Sequence, residues 1–382
     1  MSFVRVYVLG WLVALAGCAA TRIEVPPPSG EVVTVLVPGY YGSFLATDGD
    51  ASERAWVTTG QLLSRGERSL ALPFPGQRPS PSYGPLHPDG LLTRVGPPLL
   101  ATDAYATTLE FGREHLPDLV PFAYDWRQDI RVSAGQLCAR IEQLVAQGGG
   151  RRTVNIVAHS MGGLVTLHCL LHGGAGGRPW AAAEHVRRVV FVGTPLGGSP
   201  VVFDDLLGGT RMGRNRALLS AEALFSFPAS FQLLPSGDDF LEGGPAGGGA
   251  WEVFNPVLWR TQRWGPFADL PANDDAAYTA QLARLKQAHG ELRASLKPNT
   301  APPFALLLVV GTGRDTVRGF RGRGTLDVEH PLLADGDGSV LASNAIPPTD
   351  WVLPYQRFFS TAEHVALVSD EQVLQEIARF LR

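Results

Sequence analysis

The sequence predicts an α/β fold, with a mostly parallel central sheet covered by helices on both faces. Predominantly apolar, β-branched runs recur at 32–37, 120–122, 154–158, 186–192 and 305–310. Strands without polar alternation are buried on both faces, as in parallel sheets. Amphipathic helical patterns lie between these runs, so each connection is a crossover and adjacent strands run parallel. In such sheets ligands bind at the carboxyl ends of the strands, and the chemistry-bearing residues of this chain fall just past the apolar runs.

Taken in order, the first run ends in Val37-Pro38-Gly39-Tyr40-Tyr41-Gly42, a turn after a strand. Residues 44–103 are Pro- and Gly-rich and read as a long irregular loop near the site. The second run leads into Tyr124-Asp125-Trp126-Arg127, expected to brace the site instead of reacting. A helix is expected over 133–147, with Leu137, Ile141 and Leu144 on one face, and others over 164–171 and 370–381. Residues 200–303 break the alternation. They are rich in glycine and aromatics, including Phe225, Phe227, Phe231, Trp251, Trp259 and Trp264, and end in an amphipathic helix around 276–296. This stretch is expected to be an insertion capping the sheet, its aromatics forming either a cap core or a lipid-contacting face.

The third run carries the most informative feature, Val157-Ala158-His159-Ser160-Met161-Gly162-Gly163. A strand that breaks at a serine between small residues and re-forms as a helix is a nucleophile elbow. The turn lifts the hydroxyl out of the sheet and directs the Met161 backbone N–H, at a helix start, to where an oxyanion would form. Tyr40, just after Pro38-Gly39, is positioned to supply a second N–H.

A serine nucleophile needs a base and an acid to orient it, and on this architecture they follow the serine in the order acid, then histidine. His364, in Thr361-Ala362-Glu363-His364, precedes the final helix and lies C-terminal to every candidate acid. His159 is expected to point away from the nucleophile. His168 and His172 are expected on a helix surface without a metal. Asp315, directly after a strand, and Asp337, in Asp335-Gly336-Asp337-Gly338-Ser339-Val340, both suit the acid, and position alone leaves the choice open.

The N-terminus speaks to destination. Arg5 precedes an apolar stretch from Val6 to Ala16 and then Leu15-Ala16-Gly17-Cys18, a secretory signal too short to span a bilayer. Leu-Ala-Gly-Cys is similar to a bacterial lipobox, with Cys18 lipidated. The organisation expected is a signal peptide over 1–17, a tether over 18–30 and one domain over 31–382 with its cap at about 200–303. The chain would then be exported and anchored by lipid to the bacterial cell envelope, at the outer membrane. Cys138 and Cys169 lie in helix-like patterns and are expected as buried free thiols. Of 382 residues 45% are hydrophobic, enough for a sizeable core, and the net charge of −4 shows no basic excess for nucleic acid.

Val37-Pro38-Gly39, Tyr124-Asp125-Trp126-Arg127, Ala158-His159-Ser160-Met161-Gly162-Gly163, Gly193-Thr194-Pro195-Leu196-Gly197-Gly198-Ser199, Leu233-Leu234-Pro235, Gly336-Asp337-Gly338-Ser339-Val340 and Glu363-His364 occur in that order. Together they resemble the lecithin:cholesterol acyltransferase family, which includes lysosomal phospholipase A2. The resemblance implies an α/β-hydrolase fold with a cap, Ser160 as nucleophile, Asp337 as acid in preference to Asp315, His364 as base, and Tyr40 and Met161 as oxyanion donors. Residues 44–103 hold no cysteine pair to match the disulfide-pinned lid of animal members, and Ser339 replaces the usual threonine. The expected activity is transfer of an acyl group from a phospholipid ester, through an acyl-enzyme, to water or an alcohol acceptor. No metal or cofactor is called for. Two other expectations remain: a carboxylesterase or polymer-ester hydrolase on non-phospholipid substrates, and an inactive lipid-binding envelope lipoprotein.

Overall fold

The computed structural model describes residues 28–48, 53–78, 80–95, 102–173, 181–211, 213–271 and 275–382. Cys18, the signal peptide and all but the end of the expected tether lie outside the described residues. The last tether residues rest on the body. Arg152 donates to the Gly30 and Pro28 carbonyls, and Asp118 accepts the Ser29 N–H. Among the described residues, no helix is long and apolar enough to cross a membrane.

Six strands form the central sheet: β1 (Val32–Val37), β2 (Leu119–Pro121), β3 (Thr153–His159), β4 (Val186–Val192), β5 (Ala305–Gly311) and β6 (Gln356–Ser360). Their order is β6-β5-β4-β3-β1-β2, and every neighbouring pair is parallel. β3 lies near the middle, flanked by β1 (Leu36 opposite Val157) and β4 (Val190 opposite Val157). This placement explains why its residues carry no polar alternation.

Helices pack against the sheet in pairs: α2 (Ile130–Gln147) on α3 (Met161–His172), and α1 (Ala106–His115) on α5 (Glu371–Leu381). Asp129 caps α2 by accepting the Arg131 N–H, and Asp370 caps α5 through the Val373 N–H. The α5 stripe Val373, Leu374, Ile377, Ala378 and Leu381 is buried, as its 3.6-residue spacing requires. The expected α/β-hydrolase fold is the one observed. β6 and α1 are elements the sequence pattern did not announce: β6 is an edge strand without a buried residue, and α1 carries polar residues through half its length.

Two expectations change. Residues 44–103 are not simply irregular: Arg54–Trp56, Ser43–Ala46 and His87–Leu91 pair as a small antiparallel sheet, with Phe44 and Trp56 buried. Register shifts between the strands hide the alternation. Cys138 and Cys169 are not free but joined in a disulfide between α2 and α3. The two helices pack so closely that their facing cysteines meet at a Cα separation of 5.7 Å. Closing the loop between them stabilises the fold by about 3.5 kcal/mol in the chain-entropy account. After β5 the chain does not run straight to Asp337. The stretch Arg314–Gly336 folds back on itself at Gly324 (φ +81°), where a Cβ on Gly322 would strike the Thr325 carbonyl at 2.1 Å. It returns to β5 at Gly313, whose N–H bonds Asp335.

Residues 200–303 lie between β4 and β5 as short helices, a strand at Leu241–Pro245 and the long helix α4 (Ala276–Ser295). Phe225, Phe227, Phe231, Trp251, Trp259 and Trp264 are all buried. Phe225 packs edge-on to Trp259 and Phe231, and Trp251 lies on Trp264. These rings fill the core of the inserted segment instead of forming an outer apolar face.

Candidate active site

The site is assembled where β1, β3, β4 and β5 end. Ser160 follows β3 at φ +53°, ψ −126°, a backbone region that costs a non-glycine residue about 1–3 kcal/mol and clusters at functional sites. Its N–H is tied to the Val192 carbonyl (2.8 Å). The two glycines that follow are required by close approach. A Cβ on Gly162 would lie 2.4 Å from the Pro38 carbonyl oxygen, and one on Gly163 would lie 2.0 Å from Thr194 Oγ1. The elbow therefore needs its small residues because β1 and the Gly193-Thr194-Pro195 turn press against α3.

Ser160 Oγ donates to His364 Nε2 (2.9 Å), and His364 Nδ1 donates to Asp337 Oδ2 (2.8 Å). Asp337 Oδ1 accepts the Val340 and Ser339 N–H groups at 2.7 and 2.9 Å. The His364 N–H bonds the Asp337 carbonyl (3.0 Å). Asp337 is 1% exposed and Ser160 8%. Burial alone would raise the Asp337 carboxyl. The His364 bond and charge and the two N–H donors outweigh it and hold the carboxyl below its usual range. Asp315 is exposed. Of the two candidate acids, only Asp337 reaches His364.

The loop after β1 is braced from below. Tyr124 donates to the Pro38 carbonyl (2.8 Å), Trp126 Nε1 to the Ser43 carbonyl, and Arg127 pairs with Asp125 and bonds the Leu70 carbonyl. Gly39 packs so tightly that a Cβ there would sit 2.8 Å from Ser160 Cβ. Among the described residues, no hydrogen-bond partner engages the Tyr40 or Met161 N–H. Met161 follows Ser160 at the start of α3 and Gly39, which precedes Tyr40, lies against it, and Ser160 itself is buried, so the arrangement can move a proton from Ser160 to His364.

Sequence reasoning missed several residues that hold these loops. Arg293 on α4 is buried and donates to the Leu196, Leu233 and Leu234 carbonyls, joining the Gly193–Ser199 and Leu233–Pro235 motifs. Burial lowers its guanidinium to about 10. The available signal was an arginine in register with Leu282, Leu285, His289 and Leu292 on the buried face of an amphipathic helix. Asn344 donates to the Gly198 carbonyl, and Ser199 Oγ to the Ser339 carbonyl close to Asp337 in the chain. His168 and His172 do more than face solvent. Their rings bond Ser295 Oγ and the Ser295 carbonyl, stitching α3 to α4.

Residues 103–263 match the lecithin:cholesterol acyltransferase family. The resemblance carried by the sequence motifs is borne out over the segment that holds Tyr124–Arg127, the elbow, Gly193–Ser199 and Leu233–Pro235. The chain is 25% identical over 279 residues to YJR098C, an uncharacterized protein of Saccharomyces cerevisiae, covering 71% of this chain and 39% of that one. It is 33% identical over 146 residues to a putative phospholipid:diacylglycerol acyltransferase 2 of Arabidopsis thaliana, covering 32% of this chain and 22% of that one. The chain thus spans about two fifths or less of these relatives' lengths. A chain of the crystal structure of the Tle4–Tli4 complex superposes with a TM-score of 0.54 at 14% identity, covering 92% of this chain and 98% of that one. That likeness is one of fold.

One ionisable group beside the site titrates unusually. Asp205, in the helix Val201–Gly208, is half-buried. Desolvation and the nearby Asp204 charge push its carboxyl up to about 6. Between about pH 4 and 6 the unfolded chain releases this proton while the folded protein keeps it. Stability is therefore lost as pH rises toward 6, by about 3 kcal/mol in all. Asp205→Asn should melt higher than wild type at pH 8 and equal to it at pH 4. A gain of the same size at both pH values would show that the carboxyl's ionisation is not the cause.

Proposed function

We propose that this protein is a serine-dependent acyl hydrolase and O-acyltransferase acting on phospholipid esters. The observation that carries the proposal is the unbroken chain from Ser160 through His364 to Asp337, built on a strained elbow within a fold and family segment of acyltransferase type. In this reading His364 Nε2 takes the Ser160 proton as Oγ attacks the ester carbonyl. The Tyr40 and Met161 N–H groups receive the oxyanion. Asp337 holds the imidazole tautomer and stabilises the imidazolium. The C–O bond to the leaving alcohol breaks, His364 returns its proton to that alcohol, and Ser160 keeps the acyl group. Water or a second alcohol, deprotonated by His364, then releases it as fatty acid or as a new ester.

The family segment and the Arabidopsis relative's name favour a phospholipid as acyl donor. A lipid on Cys18 would hold the enzyme at the envelope surface where such donors reside.

The test is product analysis on phosphatidylcholine–phosphatidylethanolamine vesicles with and without a long-chain alcohol. New ester establishes transfer, and fatty acid alone establishes a phospholipase. Turnover of short soluble esters without vesicle activity would replace the phospholipid with a small-ester substrate. Inertness toward both, and toward a serine-reactive fluorophosphonate, would leave a binding protein. In the same cells, wild type should sediment with membranes and Cys18→Ala should not. Equal sedimentation would remove the anchor from the proposal.

A further inference from the structure

The residue before the nucleophile has a ring fully engaged in the interior. His159 Nε2 lies 3.0 Å from the His364 carbonyl oxygen, and His159 Nδ1 lies 2.7 Å from the Tyr105 hydroxyl. The Tyr105 hydroxyl in turn lies 2.8 Å from the Gly39 backbone nitrogen. Both side chains are buried, His159 at 5% and Tyr105 at 3% exposure.

Donor and acceptor roles follow from the end groups. A carbonyl oxygen only accepts, so Nε2 carries the proton toward His364. The other nitrogen of a neutral imidazole accepts, so Tyr105 donates its hydroxyl proton to Nδ1. The Tyr105 oxygen is then left to accept the Gly39 N–H. Every bond in the chain is satisfied in one direction only: Gly39 N–H to Tyr105, Tyr105 O–H to His159, His159 N–H to His364. Burial and the neighbouring His364 lower the His159 imidazole to about 3, which keeps it in the neutral form that this ordering needs.

The two ends of the chain are the two moving parts of the proposed reaction. Gly39 precedes Tyr40, whose N–H is the proposed oxyanion donor. His364 is the proposed base, and its backbone is gripped on both sides, by Asp337 through its N–H and by His159 through its carbonyl. We infer that His159 and Tyr105 are positioning residues that lock the oxyanion loop and the general base in register with Ser160, by one hydrogen-bonded strut passing beneath the nucleophile. The inference rests on the roles proposed for Tyr40 and His364. Losing the strut leaves substrate contacts intact but loosens groups whose placement matters most in the transition state, where a misplacement of about 1 Å can cost about 100-fold.

Tyr105→Phe, His159→Leu and the double variant should be compared on a p-nitrophenyl acyl ester, with active sites counted by fluorophosphonate labelling of Ser160. Each single variant should lower kcat per labelled site by about 10- to 100-fold while KM stays within about threefold. The double variant should be no slower than the slower single, because either substitution breaks the same strut. His159→Asn, which keeps an oxygen near the Nδ1 position for Tyr105, should recover part of the loss. Unchanged kcat per labelled site, a change in KM alone, or losses that multiply in the double variant would overturn the inference. Failure of wild type to label at Ser160 would instead overturn the catalytic reading on which it rests.

Discussion

Ser160→Ala is expected to lower kcat about 10⁶-fold on any ester the wild type turns over, the scale on which the nucleophile of such a cooperating unit acts. It should also abolish fluorophosphonate labelling. The fold should survive, because the hydroxyl makes one hydrogen bond, to His364, and the elbow is held by the backbone and by the packing of Gly162 and Gly163. Stability separates the roles of the side chain and of the backbone. Alanine at 160 keeps the cost of φ +53°, while glycine adopts that conformation freely. Ser160→Gly should therefore unfold at higher denaturant than Ser160→Ala, by about 1 kcal/mol, with both equally inactive. Activity above about 1% of wild type in either variant would sink Ser160 as the nucleophile.

The elbow was legible because its demands are local. A strand rich in Val and Ile, one serine and two glycines leave few backbone solutions, and contacts at 2.0–2.4 Å from the would-be Cβ atoms of Gly163 and Gly162 show why larger residues are excluded. The histidine that meets Ser160, His364, was legible from chain order. Which aspartate meets His364 was not legible from position, since Asp315 follows β5 as the architecture leads one to expect. What brings Asp337 to His364 instead is the folded-back stretch Arg314–Gly336, whose alternating exposure and internal glycines give no continuous apolar run to announce a strand.

The disulfide and the strut beneath Ser160 share a different cause. Cys138 and Cys169 sit on buried faces of separate helices. Tyr105, His159, Gly39 and His364 come from four segments whose side chains show no mutual periodicity. Such contacts depend on how α2 meets α3 and how α1 meets the sheet, and helix pattern alone fixes neither. Arg293 is an intermediate case. Its place on the apolar stripe of α4 signalled a buried charge, but not the three carbonyls it would satisfy.

The acid is best tested by a nearly isosteric change, because directional hydrogen bonding predicts the outcome. Asp337 Oδ1 accepts two N–H groups, from Ser339 and Val340, and Oδ2 accepts His364 Nδ1–H. In Asp337→Asn the amide oxygen must stay with the two N–H donors, which leaves the NH₂ facing His364. The imidazole can then face it only as an acceptor, so its proton moves to Nε2, and that nitrogen can no longer take the Ser160 proton. A loss of about 10⁴ in kcat follows, about 5.4 kcal/mol of transition-state stabilisation, with KM little changed. Asp315→Asn, on an exposed side chain, should stay within about twofold of wild type. Stability supplies an independent check. The Asp337 carboxyl sits below its usual range in the folded protein, so its contribution is present above about pH 4 and is lost as pH falls further. The Asp337→Asn variant lacks that contribution, and its melting temperature should fall less steeply than that of wild type on acidification. If Asp315→Asn instead carried the activity loss, or if Asp337→Asn kept wild-type kcat, the acid would have to be sought elsewhere than at Asp337.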